Sequence, residues 1–283
     1  MKPIAGIFAP PPLHWVGDGF PVRSLFHYGN HGKLLDPFLL LDHAAPTRFE
    51  PTTRRRGVGM HPHRGFETVT VVYQGEAEHR DTAGNAGTIG AGDVQWMTAG
   101  RGVLHEEYHA TRFAREGGTF EVAQLWVNLP AAQKMTAPSY QAIVAADIPR
   151  APVADGHGEL RVIAGELDGL RGPAHTHTPL VVADVRLAAG AGYALAVPEG
   201  WSLGLVAMRG DAAVQGAPLR EGQLAVFQRS GSEVVLQATT DATVLILAGE
   251  PIGEPVVGQG PFVMNSTREI QQAFEDFHAG RLG

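Results

Sequence analysis

The segments GMHPHRGFETVTVVYQG (residues 59–75) and GDVQWMTAGRGVLHEE (residues 92–107) decide the fold of this chain. Each carries two donor side chains one residue apart, H-x-H in the first and H-x-E in the second. Residues i and i+2 of an extended strand project from the same face. Two such strands lining one small barrel would bring three imidazoles and a carboxylate together, which is the donor set of a metal site. The predicted ligands are His61, His63, His105 and Glu107.

The identity of the carboxylate ligand stays open on spacing alone. Glu67 follows His63 by an even number of residues, so it has the same strand parity as the histidines. Glu106 points to the opposite face from His105 and is the weakest candidate. Periodicity therefore leaves Glu67 and Glu107 as alternatives.

A second H-x-H motif, at His175 and His177, serves as an internal control. In a chain with 13 histidines this spacing also arises by chance. No later histidine on an apolar strand completes a site there. We interpret these two residues as polar loop or strand-end residues and expect no metal on them.

The composition indicates a globular, turn-rich β protein. Of 283 residues, 44% are hydrophobic and 18% are charged, which suits packed cores rather than a disordered chain. The 36 glycines and 20 prolines are spread between short apolar runs, as expected for tight turns that join short strands. Because the chain has no cysteine, a tight metal site must use histidine and carboxylate.

The charge pattern argues against direct binding of nucleic acid or of an anionic membrane. The formal net charge is −7, and the three arginines at 54–56 are the longest basic run. Residues 1–13 do not form a credible signal peptide, and the apolar region 179–197 is interrupted by Asp184 and Arg186. We therefore expect a cytoplasmic protein without a membrane segment.

Two domains are expected, at residues 1–144 and 159–283, because the Pro-, Gly- and Asp-rich segment Ala145–Gly158 reads as a link. Both are expected to consist of short strands with a glycine turn between most neighbours. The expected strands lie at 68–73, 94–97, 122–127, 160–164, 180–187, 203–208, 234–238 and 244–248.

One amphipathic helix is expected near the end of the second domain, at residues 267–279. Ser266 and Glu269 fit a capping box at its start, and Gly280 ends the pattern. The apolar residues at i, i+3, i+4 and i+7, which we expect to pack on a neighbouring sheet, are Ile270, Ala273, Phe274 and Phe277.

The two halves of the chain resemble each other in sequence. YQGEA at 73–77 matches MRGDA at 208–212, and GDV at 92–94 matches GQL at 222–224. On this register the second half keeps the strand pattern but has no donor at any position equivalent to a predicted ligand. Those positions are Ala196, Pro198, Val235 and Gln237.

Several blocks of the chain resemble the pirin family of the cupin superfamily. They are DPFLLLDH (36–43), HPHRGFET (61–68), GDVQWMTAGRGVLH (92–105), QLWVNL (124–129) and GPFVMN (260–265). The resemblance implies an all-β bicupin, with two jelly-roll cupin β-barrels, metal only in the N-terminal one, and a C-terminal α-helix. It implies His61, His63, His105 and Glu107 as ligands, which favours Glu107 over Glu67. It also implies iron(II), although nickel, copper, manganese or zinc suit the same donors.

The resemblance suggests two functions, and a third hypothesis is structural. The first is a quercetin 2,3-dioxygenase, in which a flavonol-like aromatic substrate meets the metal and Glu107 serves as ligand and base. The second is a regulatory protein that acts without catalysis as a transcription cofactor or as the partner of a metabolic enzyme. Its partner surface would change with the iron oxidation state, and the arginines at 54–56 and Arg64 lie beside the metal strand. The third is a barrel whose metal is only structural.

Overall fold

The computed structural model describes residues 1–282, and within them the chain is built mainly of β-strands. All the strands expected from the apolar runs are present. In the first part of the chain they are β1 (Ile4–Phe8), β2 (His14–Val16), β3 (Phe20–His27), β4 (Phe38–Phe49), β5 (Gly57–His63), β6 (Phe66–Gln74), β7 (Ala77–Asp81), β8 (Ala86–Ile89), β9 (Val94–Thr98), β10 (Val103–His109), β11 (Gly118–Asn128) and β12 (Ser139–Ile143).

The later part of the chain continues the same pattern. Its strands are β13 (Arg150–Val153), β14 (Gly158–Ala164), β15 (Glu166–Leu167), β16 (Leu170–Arg171), β17 (Leu180–Leu187), β18 (Gly192–Ala196), β19 (Ser202–Arg209), β20 (Ala212–Val214), β21 (Ala217–Leu219), β22 (Leu224–Phe227), β23 (Glu233–Ala238), β24 (Ala242–Gly249), β25 (Val257–Gln259) and β26 (Phe262–Met264). Helices α1 (Thr111–Glu116) and α2 (Thr267–His278) are the α-helices of residues 1–282. The predicted all-β class with a C-terminal helix is confirmed.

The chain forms two compact units, and neither is one continuous stretch of sequence. The first unit contains Pro12–Tyr28, Leu39–Ala145 and the chain from residue 253 onward. The second unit contains Met1–Pro11, Gly29–Phe38 and Ala146–Ile252. The units thus differ from the expected contiguous domains 1–144 and 159–283. The reason is strand pairing, because β1 hydrogen-bonds antiparallel to β22 in a sheet of the second unit.

Each unit has a large and a small antiparallel sheet with matching strand orders. In the first unit the orders are β12-β9-β6-β11-β4-β3-β2 and β5-β10-β7-β8. In the second they are β1-β22-β19-β24-β17-β14-β13 and β18-β23-β20-β21. Each strand of the first small sheet has its counterpart thirteen strands later, so the repeat inferred from sequence extends to the topology.

The core of each unit lies between its two sheets. In the first unit, Val72 of the large sheet packs in one cluster with Ala77 and Ile89 of the small sheet. In the second, Ile246 packs in one cluster with Leu236. Burial alternates along the small-sheet strands β18 and β23, which bury one face by the period-two rule. Strands β6 and β24 of the large sheets are instead buried at nearly every position, so both of their faces are covered.

The segment expected to be a link, Ala145–Gly158, contains strand β13, which was not predicted. β13 pairs with β14 at the edge of the large sheet of the second unit. Pro152 lies in this strand, and an edge position tolerates its missing N–H donor. The proline and glycine residues of this segment therefore belong to an edge hairpin, β13–β14, and not to an unstructured link.

Helix α2 has the predicted bounds to within one residue, but it belongs to the first unit. The backbone N–H of Glu269 donates to Ser266 Oγ at 3.3 Å, as the capping box requires. The buried residues Ile270 and Ala273 pack against Phe262 and Met264 of β26. The helix therefore closes the unit that carries the predicted ligands, not the second half of the chain.

Candidate metal centre

The small sheet of the first unit places the histidines side by side on adjacent strands. β10 lies between β5 and β7, with His105 opposite His61 on one side and opposite Asp81 on the other. Directly opposed residues of antiparallel strands project from the same face. Since His63 lies two residues after His61, it joins the same row.

The three predicted histidines meet at one point. Their ring centroids are 4.9 Å apart for His61 and His63, 4.3 Å for His61 and His105, and 4.9 Å for His63 and His105. One ring nitrogen from each falls within 4.8 Å of the other two. Such a triad can hold a metal ion through nitrogen donors.

Hydrogen bonds use the Nδ1 atom of each ring. His61 Nδ1 donates to the carbonyl oxygen of Gly59 at 2.8 Å, and His63 Nδ1 to that of Pro261 at 3.3 Å. A carbonyl oxygen only accepts, so both rings carry their proton on Nδ1 and a lone pair on Nε2. His105 Nε2 is buried without a hydrogen-bond partner among the described residues. An orphaned nitrogen of this kind fits a metal-binding role.

Burial keeps the imidazoles neutral. It lowers the pKa of His63 to about 3, helped by the nearby His61 ring. Burial likewise lowers the pKa of His61, and it lowers that of His105 well below the ordinary value. A metal ligand must be an unprotonated imidazole, so these side chains are ready to bind a cation at neutral pH.

Glu107 lies near His105, and its carboxylate is held by side chains of the large sheet. Its Oε1 accepts from Gln95 Nε2 at 2.9 Å and from Thr70 Oγ1 at 3.2 Å. Burial raises the pKa of the Glu107 carboxyl to about 7, although these two hydrogen bonds lower it. Its carboxylate falls within 4.8 Å of donors on His105 and His79, in a group separate from the histidine triad. The four predicted donors are thus adjacent but do not form one equally tight cluster.

Glu67, the alternative carboxylate, lies on the far face of the large sheet. It is opposite Thr98 in the β6–β9 pair and accepts a hydrogen bond from Thr98 Oγ1 at 2.7 Å. Thr70, three residues later on β6, points the other way and reaches Glu107. The parity argument fails because His63 and Glu67 lie on different strands, β5 and β6, in different sheets. Gly65, at φ +88°, lies in the turn between the two strands.

His79, which the sequence analysis missed, stands directly behind His105. The two Nδ1 atoms are 3.4 Å apart, and His79 Nε2 lies 3.3 Å from Asp81 Oδ2. His79 also stacks on the ring of Tyr140, with centroids 4.8 Å apart at 19°. The sequence does contain a pattern that indicates His79, because H-R-D at 79–81 has the same spacing of donors as H-x-E at 105–107.

A cavity of about 350 Å³ opens onto this cluster within the first unit. Its polar lining consists of Asp42, His61, His63, Glu107 and Gln124. The walls are largely apolar, formed by Val16, Phe20, Val22, Val58, Val122 and Trp126. This size and lining suit a small, mainly apolar molecule that carries polar substituents.

The C-terminal segment completes the site from the outside. Pro261 supplies the carbonyl that holds His63, and Val263 N donates to Arg64 O at 3.1 Å. The buried Arg64 side chain donates through Nη1 to Asp276 Oδ2 of α2 at 2.8 Å. The strand that carries two candidate ligands is therefore tied to the helix at the chain's end.

The second unit offers no comparable donor set within residues 1–282. In the strand pair equivalent to β5–β10, Ala194 lies opposite Val235. His175 and His177 belong to neither cluster of three His, Cys, Asp or Glu donors found in the described residues. Across residues 1–282 as a whole, no helix is long and apolar enough to cross a bilayer.

Comparison with known proteins places the chain in a family. The pirin family model matches residues 19–127, and the model for the pirin C-terminal cupin domain matches residues 182–283. A Pseudomonas aeruginosa protein provisionally named a quercetin 2,3-dioxygenase is 56% identical, covering 100% of this chain and 99% of that protein. Pirin-1 of Arabidopsis thaliana is 42% identical, covering 89% of this chain and 85% of its own length.

A solved structure gives the same result. The crystal structure of a quercetin 2,3-dioxygenase from Acinetobacter baumannii superposes with a TM-score of 0.97. It is 52% identical and covers 100% of this chain and 99% of that chain. The chain belongs to the pirin family.

Proposed function

We propose that the chain is a metal-dependent dioxygenase that opens the central ring of a flavonol-like aromatic substrate. The observation that carries the proposal is the largely apolar cavity of about 350 Å³, whose lining includes His61, His63 and Glu107. A flat aromatic molecule fits such walls, and its oxygen substituents would face the ligating side chains. The names of the Pseudomonas aeruginosa relative and the Acinetobacter baumannii structure support this substrate class.

The proposed ligands are His61, His63, His105 and Glu107, and the proposed metal is iron(II). Three neutral imidazoles and one carboxylate suit a divalent first-row metal, with no thiolate to favour a softer ion. Nickel, copper, manganese and zinc satisfy the same donors, so family resemblance is what favours iron. When bound, iron(II) would supply the redox chemistry through which dioxygen reacts with the deprotonated flavonol.

The protein groups would act on the substrate's 3-hydroxyl proton and on its position. Glu107 would accept that proton, acting as the general base beside the metal. Gln95 Nε2 donates to Oε1 at 2.9 Å and Thr70 Oγ1 lies 3.2 Å from the same oxygen, so Oε2 would be the oxygen that accepts the substrate proton. The apolar walls, including Trp126 and Phe20, would hold the rings and keep out water.

The proposed reaction balances as an oxygenation. One dioxygen is consumed, two carbon–carbon bonds of the central ring break, and the carbon between them leaves as carbon monoxide. Both atoms of dioxygen enter the ring-opened ester. Neither an external reductant nor a second cofactor is needed.

The test is a paired measurement of oxygen uptake and carbon monoxide release with quercetin. Protein reconstituted with iron(II) is expected to consume oxygen and release carbon monoxide in equal amounts. The control is His105→Ala, which removes the buried ligand nitrogen and is expected to give only the background rate. Wild-type turnover no faster than this variant would refute the proposal.

A regulatory role is the second candidate, favoured by the connection from His63 through Arg64 to α2. Since Arg64 is buried and hydrogen-bonded to Asp276, a displacement of the metal-binding strand would also move helix α2. In this function a protein partner would read the iron oxidation state. Capture experiments with ferrous and ferric protein are expected to retain different partners, and identical partners in both states would count against it.

A further inference from the structure

The three candidate histidine ligands are all held through Nδ1, but only two are held by groups of fixed polarity. Gly59 and Pro261 present carbonyl oxygens to His61 and His63, and these oxygens can only accept. His105 Nδ1 instead faces the Nδ1 of another histidine, His79, at 3.4 Å. An imidazole nitrogen either donates or accepts, so this contact does not by itself decide which ring carries the proton.

Asp81 removes the ambiguity. An ionised carboxylate is only an acceptor, so His79 Nε2, 3.3 Å from Asp81 Oδ2, must carry a proton. In a neutral ring the other nitrogen, Nδ1, then has the lone pair. It accepts from His105 Nδ1–H, which leaves the lone pair of His105 on Nε2, the buried nitrogen that lacks a partner among the described residues.

The position of His79 is itself constrained on both sides. Asn85 donates to Asp81 through its backbone N and through Nδ2, at 2.9 Å to Oδ1 and 2.9 Å to Oδ2. The ring of His79 stacks on Tyr140, whose hydroxyl donates to Gln95 Oε1 at 3.3 Å. The carboxylate and the ring plane are therefore held in place before any ligand arrives.

We propose that Asp81 and His79 set the tautomer and the orientation of His105, doing for it what backbone carbonyls do for His61 and His63. His79 is thus a positioning residue and not a metal ligand, although it lies within reach of a donor set with His105 and Glu107. Outer hydrogen bonds of this kind orient a ligating imidazole and raise its basicity. The inference rests on the proposed metal centre, in which His105 binds through Nε2.

The competing arrangement makes different use of the same atoms. If His79 were a ligand, its Nδ1 would have to face a cation, because Nε2 is occupied by Asp81. His79 would then no longer accept the proton of His105 Nδ1. The two arrangements therefore differ at His105, whose proton is fixed on Nδ1 only where His79 Nδ1 accepts it.

The first test measures tautomers in metal-free protein. Long-range ¹H–¹⁵N correlation of the imidazoles distinguishes protonation at Nδ1 from protonation at Nε2, and the His105 signals are assigned by their loss in His105→Asn. We expect Nδ1–H for His105 and Nε2–H for His79. The Nε2–H form of His105 in wild-type protein would overturn the proposal.

The second test measures cobalt(II) affinity by chelator competition in matched variants. His79→Phe keeps a ring on Tyr140 but removes both nitrogens, and we expect cobalt(II) binding to weaken about 10- to 100-fold. His79→Asn keeps an acceptor near the position of Nδ1, so it is expected to recover most of the lost affinity. The d–d absorption spectrum of bound cobalt(II) should change in the phenylalanine variant and return in the asparagine variant.

Defined outcomes separate this proposal from its alternatives. A folded His79→Phe with unchanged cobalt(II) affinity, or two cobalt ions per wild-type chain with one lost in His79→Phe, would overturn it. Thermal unfolding of the metal-free variants checks that each one folds. If wild-type protein binds no cobalt(II), the proposed metal centre fails, while the tautomer measurement still tests the contacts of Asp81 and His79.

Discussion

Replacing Asp276 with asparagine should destabilise the first unit although the residue lies on the C-terminal helix. Asp276 accepts from Arg64 Nη1 at 2.8 Å and from Arg281 Nη2 at 2.7 Å. These hydrogen bonds, with that from Arg64 the larger influence, lower the pKa of Asp276 from 3.8 to about 2. Asparagine keeps the shape of the side chain but leaves the buried Arg64 guanidinium without its counter-charge.

The magnitude follows from that pKa. At about 1.4 kcal/mol per pKa unit, lowering it from 3.8 to about 2 corresponds to about 2 kcal/mol. The Arg281 side chain is 57% exposed, so solvent screens its share. We therefore expect Asp276→Asn to lower the free energy of unfolding by about 1–2 kcal/mol at pH 7.

The pH dependence has a definite sign. A carboxyl group whose pKa is lower in the folded state contributes stability above its unfolded pKa. That contribution is lost as the pH falls through the folded value. The difference between wild type and Asp276→Asn should therefore be full at pH 7, shrink below about pH 4 and disappear only below about pH 2.

Urea unfolding followed by tryptophan fluorescence provides the assay. Three of the four tryptophans, Trp15, Trp96 and Trp126, lie in the first unit, so the signal mainly reports that unit. Glu275→Gln is the matched control, because it removes an exposed acid from the same helix. If Asp276→Asn matches this control at pH 7, or if its effect persists undiminished at pH 2, the reasoning is refuted.

Three further predictions concern the proposed site. Glu107→Gln, which removes the basic oxygen, should lower the rate of oxygen uptake with quercetin about 10²- to 10⁴-fold; a smaller loss would exclude Glu107 as the base. Val58→Trp should fill the cavity and weaken quercetin binding at least about tenfold in a fluorescence titration. Its metal content by elemental analysis should equal that of wild type, and unchanged quercetin affinity would move the substrate elsewhere. Removing the metal with a chelator should lower the melting temperature of the first unit, and adding iron(II) back should restore it. If chelation lowers the melting temperature but leaves quercetin binding and turnover intact, the metal is only structural.

The histidine triad could be predicted because strand geometry fixes which side chains share a face. The shared face of His61 and His63 follows from their two-residue spacing, and their meeting with His105 follows if both strands line one barrel. The structure brings all three histidines together. The choice between Glu67 and Glu107 did not follow, because the parity rule holds only within one continuous strand. Gly65 breaks that continuity: a Cβ there would lie 2.0 Å from the carbonyl oxygen of Val263, and its φ of +88° suits glycine.

The placement of the first strand, β1, in the second unit could not be predicted from the sequence. Ile4–Phe8 is apolar and extended, and nothing in that pattern specifies a partner more than two hundred residues away. Its pairing with β22 is decided by non-local backbone hydrogen bonds. Helix α2 illustrates the same point, because capping and periodicity gave its bounds while the packing of Phe262 decided its location.

The location of the C-terminal segment affects the order in which this protein can be made. Domains tend to fold as they leave the ribosome, starting with the N-terminal one. Here His61, His63 and His105 are translated long before Pro261, whose carbonyl orients His63, and before Asp276, which anchors Arg64. During synthesis, the ligand cluster of the first unit can therefore reach its final form only after Pro261 and Asp276 have been made. A ribosome stalled near residue 250 would display all three imidazoles but lack the carbonyl that orients His63.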